Sequence, residues 1–323
     1  MKGVILVENS FVHPYMPNSA PENKKAMLDE LGINSVEDIY KSIIPDELLY
    51  KERLDIPEPI RSEYELKRHV MGILNRDITT EEYTSFLGAG CYKHQVPAIC
   101  DEINSRGEFL TAYCGDTYSD HGKMQAIFEY TSMMGELLDT DVVSYTTYDG
   151  GQAVASSLRM AVRAVREKGM AGKVILVPKT MNPEIYSQVV QYCRNVAEVR
   201  KIAYEPETGL MDLEELKEQL AKKNVAAVFF ENPTYLGNFE TRGEEIAKLA
   251  HDAGAYCVVQ TEVAALGIME SPVNQGADIV CGDIQPLGMH IQFGGGQAGF
   301  IACNQNMDLV EQFPTYMYGI TET

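Results

Sequence analysis

Between Val142 and Ala302 the chain alternates short unbroken apolar runs with stretches whose apolar residues recur every three to four positions. Val142–Tyr145, Lys173–Pro178, Val225–Phe230 and Tyr256–Val259 are four to six residues long and read as strands, with the more polar stretch Val199–Tyr204 falling in sequence among them. The intervening stretches 152–167, 183–194, 212–222 and 243–253 carry helical spacing,. Strands that are apolar without alternation, each followed by a helix, belong to a parallel sheet covered on both faces. The pattern therefore predicts an α/β class, a doubly wound and mostly parallel sheet, over about 76–312. Ile279–Cys281 and Ala298–Ala302 add two short strands around Gly282–Gly296. Ahead of the sheet, Met124, Ile127, Phe128, Thr131, Met134 and Leu138 repeat at helical spacing and should bury one face of a helix over Gly122–Leu138,.

Residues 1–75 read differently, as a helical arm. Ala26–Gly32 is a short amphipathic helix ended by glycine, and Ser35 stands where it could cap a second helix reaching Tyr40,. Pro57 and Pro59 break the pattern before a third helix from Ser62 toward Leu74,. Residues 313–323 lack a recognisable closing element and read as the start of a C-terminal segment.

Composition narrows the functional classes. A net charge of −20 opposes a phosphate backbone, so a nucleic-acid partner is not expected,. No apolar run reaches the roughly 18 residues that span a bilayer, which predicts no membrane association,. The seven cysteines are scattered without C-x-x-C spacing, consistent with a reducing cytoplasm, and Cys257 and Cys281 read as buried small hydrophobes,. The P-loop, G-x-G-x-x-G, H-E-x-x-H and G-x-S-x-G patterns do not occur, and neither does a metal-ligand spacing,.

Four segments are left as candidates for chemistry. Tyr148–Ala153 is a glycine-rich strand-to-helix turn, where Asp149 either caps the helix or leaves its amides to cradle an anion,. Phe86–Pro97 sets Tyr92, Lys93 and His94 beside Gly-Ala-Gly, and Thr111–Gly122 offers Tyr113, Tyr118 and His121. In Asp278–Gly296 the run Gly294-Gly295-Gly296 calls for an unusual backbone path or a close approach to a ligand or partner,.

His13–Ser19, the Phe86–Pro97 loop, Gln125–Tyr130, Tyr148–Gly150 and Gly282–Gly288, in that order along nearly the whole chain, resemble the first subunit of the two-subunit glycine dehydrogenase (decarboxylating), the P-protein of the glycine cleavage system. That resemblance implies the fold type I architecture of pyridoxal phosphate enzymes. It also implies decarboxylation of glycine, with transfer of the aminomethyl group to the lipoyl arm of the H-protein. In the two-subunit form the second subunit holds the cofactor. The lysine expected before the glycine-rich loop falls at Pro286, and no lysine follows Lys248. The acidic residue expected after Tyr256–Val259 falls at Gln260, with Glu262 available in a shifted register, and the hydroxyl of the phosphate cradle falls at Asp149,.

The expectation is thus a half that binds no pyridoxal phosphate covalently and is inactive alone. It would complete the site of glycine dehydrogenase subunit 2, with Tyr92, His94 and Tyr113 facing the shared pocket and Gly294 and Gly295 near the partner's cofactor phosphate. The chain stops at Thr323 where relatives continue into a C-terminal domain, as in a truncated chain or a shorter paralogue, and Cys114–His121 departs from the family's Thr-Pro-Tyr-Gln-type segment. Two other readings stay open: a catalytically silent regulatory subunit, and a related complex acting on another amino acid.

Overall fold

In the computed structural model, residues 12–50, 52, 55–86, 92–107, 121–292, 296–317 and 319 are described. They fall into two units, Met1–Ile78 and Thr79–Thr323. The first contains helices α1 (Pro21–Leu31), α2 (Glu37–Lys41) and α3 (Glu63–Leu74), none of which buries a residue. Ile43, Leu48, Tyr64 and Ile73 stand at least half exposed, so this arm has no core of its own among the described residues. Ser62 caps α3 as its position suggests, accepting from the Glu65 amide at 3.4 Å. Ser35 does not cap α2: Asp38 reaches back to the amides of Asn34 and Ser35 instead, its carboxylate being the stronger acceptor,.

The second unit is built on one sheet. Its strands are β1 (Val142–Val143), β2 (Val174–Pro178), β3 (Glu198–Ile202), β4 (Val225–Asn232), β5 (Tyr256–Thr261), β6 (Ile279–Asp283) and β7 (Gly299–Cys303). They hydrogen-bond in the order β1-β7-β6-β5-β4-β2-β3. Strands β2 to β6 are mutually parallel, because helical crossovers return the chain to the same end of the sheet each time,. Strand β7 is antiparallel to both β6 and β1.

Helices α4 (Ala98–Asn104), α5 (His121–Leu138), α6 (Gly150–Glu167), α7 (Pro183–Cys193), α8 (Leu213–Leu220), α9 (Gly243–Asp252) and α10 (Met307–Val310) accompany the strands. One face of the sheet, with Phe229, Ile175 and Val258, packs on α6 and α7. The other, with Leu176, Val228 and Phe230, packs on α5, α8 and α9. Every residue of β4 is buried, which is why this strand could not read as alternating,. Helix α6 buries Ala153, Ala155, Ala161 and Ala164, small side chains that let it lie close against the sheet. Ile127, Thr131, Met134 and Leu138 form the buried stripe expected of α5, and Cys257 and Cys281 are fully buried.

Candidate functional site

Parallel strands deliver their carboxyl ends to one edge of the sheet, and that edge, where side chains and helix N-termini converge, is where α/β folds hold ligands. A cavity of about 580 Å³ lies there,. Its wall takes Glu231 from the end of β4, Gln260 and Thr261 from β5, Asp283 from β6, and Asp149–Gly151 from the start of α6.

The N-terminus of α6 would be an anion site, but the chain's own carboxylates occupy it. Asp149, in extended backbone, caps the helix by accepting from the Gln152 amide at 2.6 Å. Asp283 accepts from the Gly150 amide at 2.9 Å and from the Gln285 amide at 2.7 Å. A Cβ at Gly150 would stand only 3.0 Å from the Asp283 Cβ, so glycine permits this approach. Burial pushes the Asp283 carboxyl up; the Gln285, Gly150 and Ala298 amides pull it back. Of the two readings open for Asp149, the cap is the one realised.

A second arrangement fixes the loop that carries Tyr92. Gln285 is fully buried, and its Oε1 accepts from the Tyr92 amide at 3.3 Å. Its Nε2 donates to the carbonyls of Tyr92 and Met289, each at 3.2 Å. Tyr92 lines the cavity. His94 lies beside it rather than on the wall, and its Nδ1 stands 2.9 Å from the Tyr92 carbonyl. A carbonyl only accepts, so Nδ1 carries a hydrogen,. The His94 Nε2 is shut off from solvent and has no partner among the described residues. Tyr113, Gly294 and Gly295 lie outside the described residues. Gly296 has φ 78°, and a Cβ there would meet the His290 carbonyl at 2.7 Å, so this end of the glycine run does follow an unusual path.

Glu231 escapes the sequence reading altogether. It is 5% exposed, and both carboxylate oxygens accept from the Asn182 amide, at 3.2 and 3.3 Å. Burial pushes its carboxyl up to about 7. Its partner in register on β5 is Gln260, whose Oε1 is buried without a hydrogen-bond partner. The signal was there: a carboxylate closing an apolar strand, Phe229-Phe230-Glu231, points to the ligand edge of a parallel sheet. Glu262 also lines the cavity, held up by burial and tied to the Ala264 amide at 3.2 Å.

The family profile of the glycine cleavage system P-protein matches residues 13–323. This chain belongs to that family. It is 35% identical to a protein of Staphylothermus marinus named probable glycine dehydrogenase (decarboxylating) subunit 1, over 96% of this chain and 66% of that one. The relative of the same name in Pyrococcus horikoshii is 38% identical over 95% of this chain and 67% of its own length. The chain thus spans about two thirds of these P-protein relatives.

Among solved structures, a glycine decarboxylase (P-protein) of the glycine cleavage system in inhibitor-bound form superposes with a TM-score of 0.77 at 32% identity. The match covers 94% of this chain and 65% of that one. A sphingosine-1-phosphate lyase of Burkholderia pseudomallei, 14% identical with a TM-score of 0.60, covers 84% of this chain and 64% of its own, and shares the fold. The architecture is fold type I of pyridoxal phosphate enzymes.

The cavity residues do not suit that cofactor. The amides that would hold a phosphate are taken by Asp149 and Asp283, both repelling it,. Pro286 lines the cavity and carries no amine. On β5, Gln260 and Thr261 line the cavity, and neither can supply a charge to a protonated ring nitrogen,.

Proposed function

We propose that this chain is the half of a heteromeric glycine decarboxylase that does not hold pyridoxal phosphate, and that it completes the site of a lysine-bearing partner. The assembly would decarboxylate glycine and pass the aminomethyl group to a lipoyl H-protein. The observation that carries the reading is the occupation of the α6 amides by Asp149 and Asp283, which removes the phosphate site that a cofactor-bearing half needs. The names of the P-protein relatives support the partnership, as do the exposed apolar side chains of the arm, which find no cover within their own unit.

In this reading Tyr92 and His94 face the shared pocket. Gln285 holds the Tyr92 backbone and the Tyr92 carbonyl fixes the orientation of the His94 ring. Because Nε2 is shut off within this chain, its exposure to substrate requires docking of the partner,. The same reading assigns Gly294 and Gly295 to the partner's cofactor phosphate and Tyr113 to the shared pocket. When bound in the partner, pyridoxal phosphate supplies the electron sink for loss of carbon dioxide.

Co-expression with the lysine-bearing subunit tests this. A yellow complex that exchanges bicarbonate into glycine is the expected outcome, with Tyr92→Phe and His94→Ala lowering turnover while association persists. A chain that never associates, or one that turns yellow by itself, refutes the reading.

A further inference from the structure

We propose that the cavity at the carboxyl edge of the sheet is a receptor for an organic cation, an alkylammonium or guanidinium group, rather than for an anionic cofactor. This deepens the reading of the chain as the half without pyridoxal phosphate and rests on it.

Charge comes first. Asp149, Glu184, Glu231, Glu262 and Asp283 line the cavity, and no lysine, arginine or histidine does so among the described residues. Four of these acids accept from backbone amides at helix or turn starts: Asp149 from Gln152, Asp283 from Gly150, Glu262 from Ala264, and Glu231 from Asn182. Glu231 differs in its place, because it stands next to the end of a strand buried on both faces, is almost wholly buried, and lines the cavity.

The second observation is independent of charge. Gln260 occupies the register position beside Glu231 on the adjacent parallel strand, lines the same cavity, and has a buried Oε1 that accepts from nothing described. A buried acceptor left unpaired has given up its hydrogen bonds to water without replacing them, a loss that a donor on a ligand would make good. Neighbouring parallel strands lie about 4.8 Å apart, so the two side chains present adjacent acceptors. A group with several N–H donors and a positive charge answers both at once, as an ammonium with three donors or a guanidinium with five does.

The rim narrows the class. Phe86, Tyr92 and Tyr235 line the cavity with these acceptors, and aromatic faces beside carboxylates favour a cation carried on carbon,. A bare metal ion is disfavoured, since no group of three His, Cys, Asp or Glu side chains among the described residues is placed to hold one.

Protonation should compete with the ligand. The titratable groups facing Glu231 from the packed elements are Asp149 before α6, Glu184 on α7, Glu262 after β5 and Asp283 on β6, with His94 acting on Glu262. All of those on the cavity wall are acids, and burial, against the pull of the Asn182 and Tyr235 amides, holds Glu231 protonated up to about 7. Binding a cation near neutral pH must therefore expel a proton, and affinity should fall as pH drops through that value. From pH 8 to pH 5.5 a single carboxyl titrating near 7 weakens the complex by roughly thirty-fold.

The experiment is calorimetric titration of the full chain with 1,4-diaminobutane at both pH values, alongside inorganic phosphate and pyridoxal phosphate. Expected are saturable binding of the diamine at pH 8, the roughly thirty-fold loss at pH 5.5, and no binding of either anion. Glu231→Gln, which keeps an acceptor but loses the charge, should weaken diamine binding about tenfold or more and flatten its pH dependence. If that variant does not fold, the pH dependence of the unaltered chain decides.

Absence of diamine binding with no anion bound overturns the cation site and leaves the reading of a half without cofactor standing. Binding of pyridoxal phosphate overturns both. Diamine binding indifferent to pH, or to Glu231→Gln, places the ligand elsewhere and overturns the proposal.

Discussion

Replacing Gln285 by methionine keeps its volume inside the fold and deletes its amide. Three hydrogen bonds go with it: one from the Tyr92 amide and two to the carbonyls of Tyr92 and Met289. Each such bond is worth about 1 kcal/mol net, so Gln285→Met should cost about 2–3 kcal/mol, toward the low end because water can reach the half-exposed Tyr92,. Urea denaturation would show the midpoint falling with the slope unchanged.

The local effect is more specific. Gln285 is the tie between the loop around Tyr92 and the chain 193 positions away. Losing about 2 kcal/mol there should raise transient opening roughly thirty-fold, seen as faster proteolytic cutting within 86–97 than anywhere else. Gln285→Glu retains an acceptor for the Tyr92 amide but, when ionised, sets its charge against two carbonyls, so it should rescue less at pH 8 than at pH 5. A midpoint unchanged within about 0.5 kcal/mol, or a loop no more readily cut, would show that the clasp does not hold the loop.

Stability should also report the buried carboxyl of Glu231. Its folded pKa, near 7, lies above the ordinary 4.5, so the folded state favours the protonated acid and stability is lost as pH rises from about 4.5 through 7,. Glu231→Gln should therefore be close to neutral at pH 4.5 and stabilising by up to about 3 kcal/mol at pH 8; equal midpoint shifts at both values would contradict this. Asp149→Ala removes the α6 cap and should cost about 1 kcal/mol in urea denaturation,. Phe229→Ala, at a fully buried position on the central strand, should cost about 3–5 kcal/mol, and a loss below 1 would mean the core rearranges around it,. Pro286→Lys should not turn the chain yellow with pyridoxal phosphate, because Asp149 and Asp283 still hold the α6 amides; a stable yellow complex would refute that account.

The sequence by itself determined the layered α/β architecture, because burial of a parallel sheet on both faces forces unbroken apolar runs between helices with one apolar face. It also determined the family, through long ordered motifs, and offered the cap at Asp149 as one of two readings, its partner lying three residues away. Local features of that kind need no knowledge of the fold. Pairings across the sheet do: Asp283 reaches Gly150 across 133 positions and Gln285 reaches Tyr92 across 193, and neither spacing has a signature along the chain. The raised carboxyl of Glu231 was likewise invisible, since its cause is desolvation at the end of a strand buried on both sides. Nor could sequence say that the arm's amphipathic helices leave their apolar faces uncovered, as periodicity shows that a face is apolar and not what it packs against. Tertiary structure decided these points because each depends on which distant segments the sheet brings to one edge.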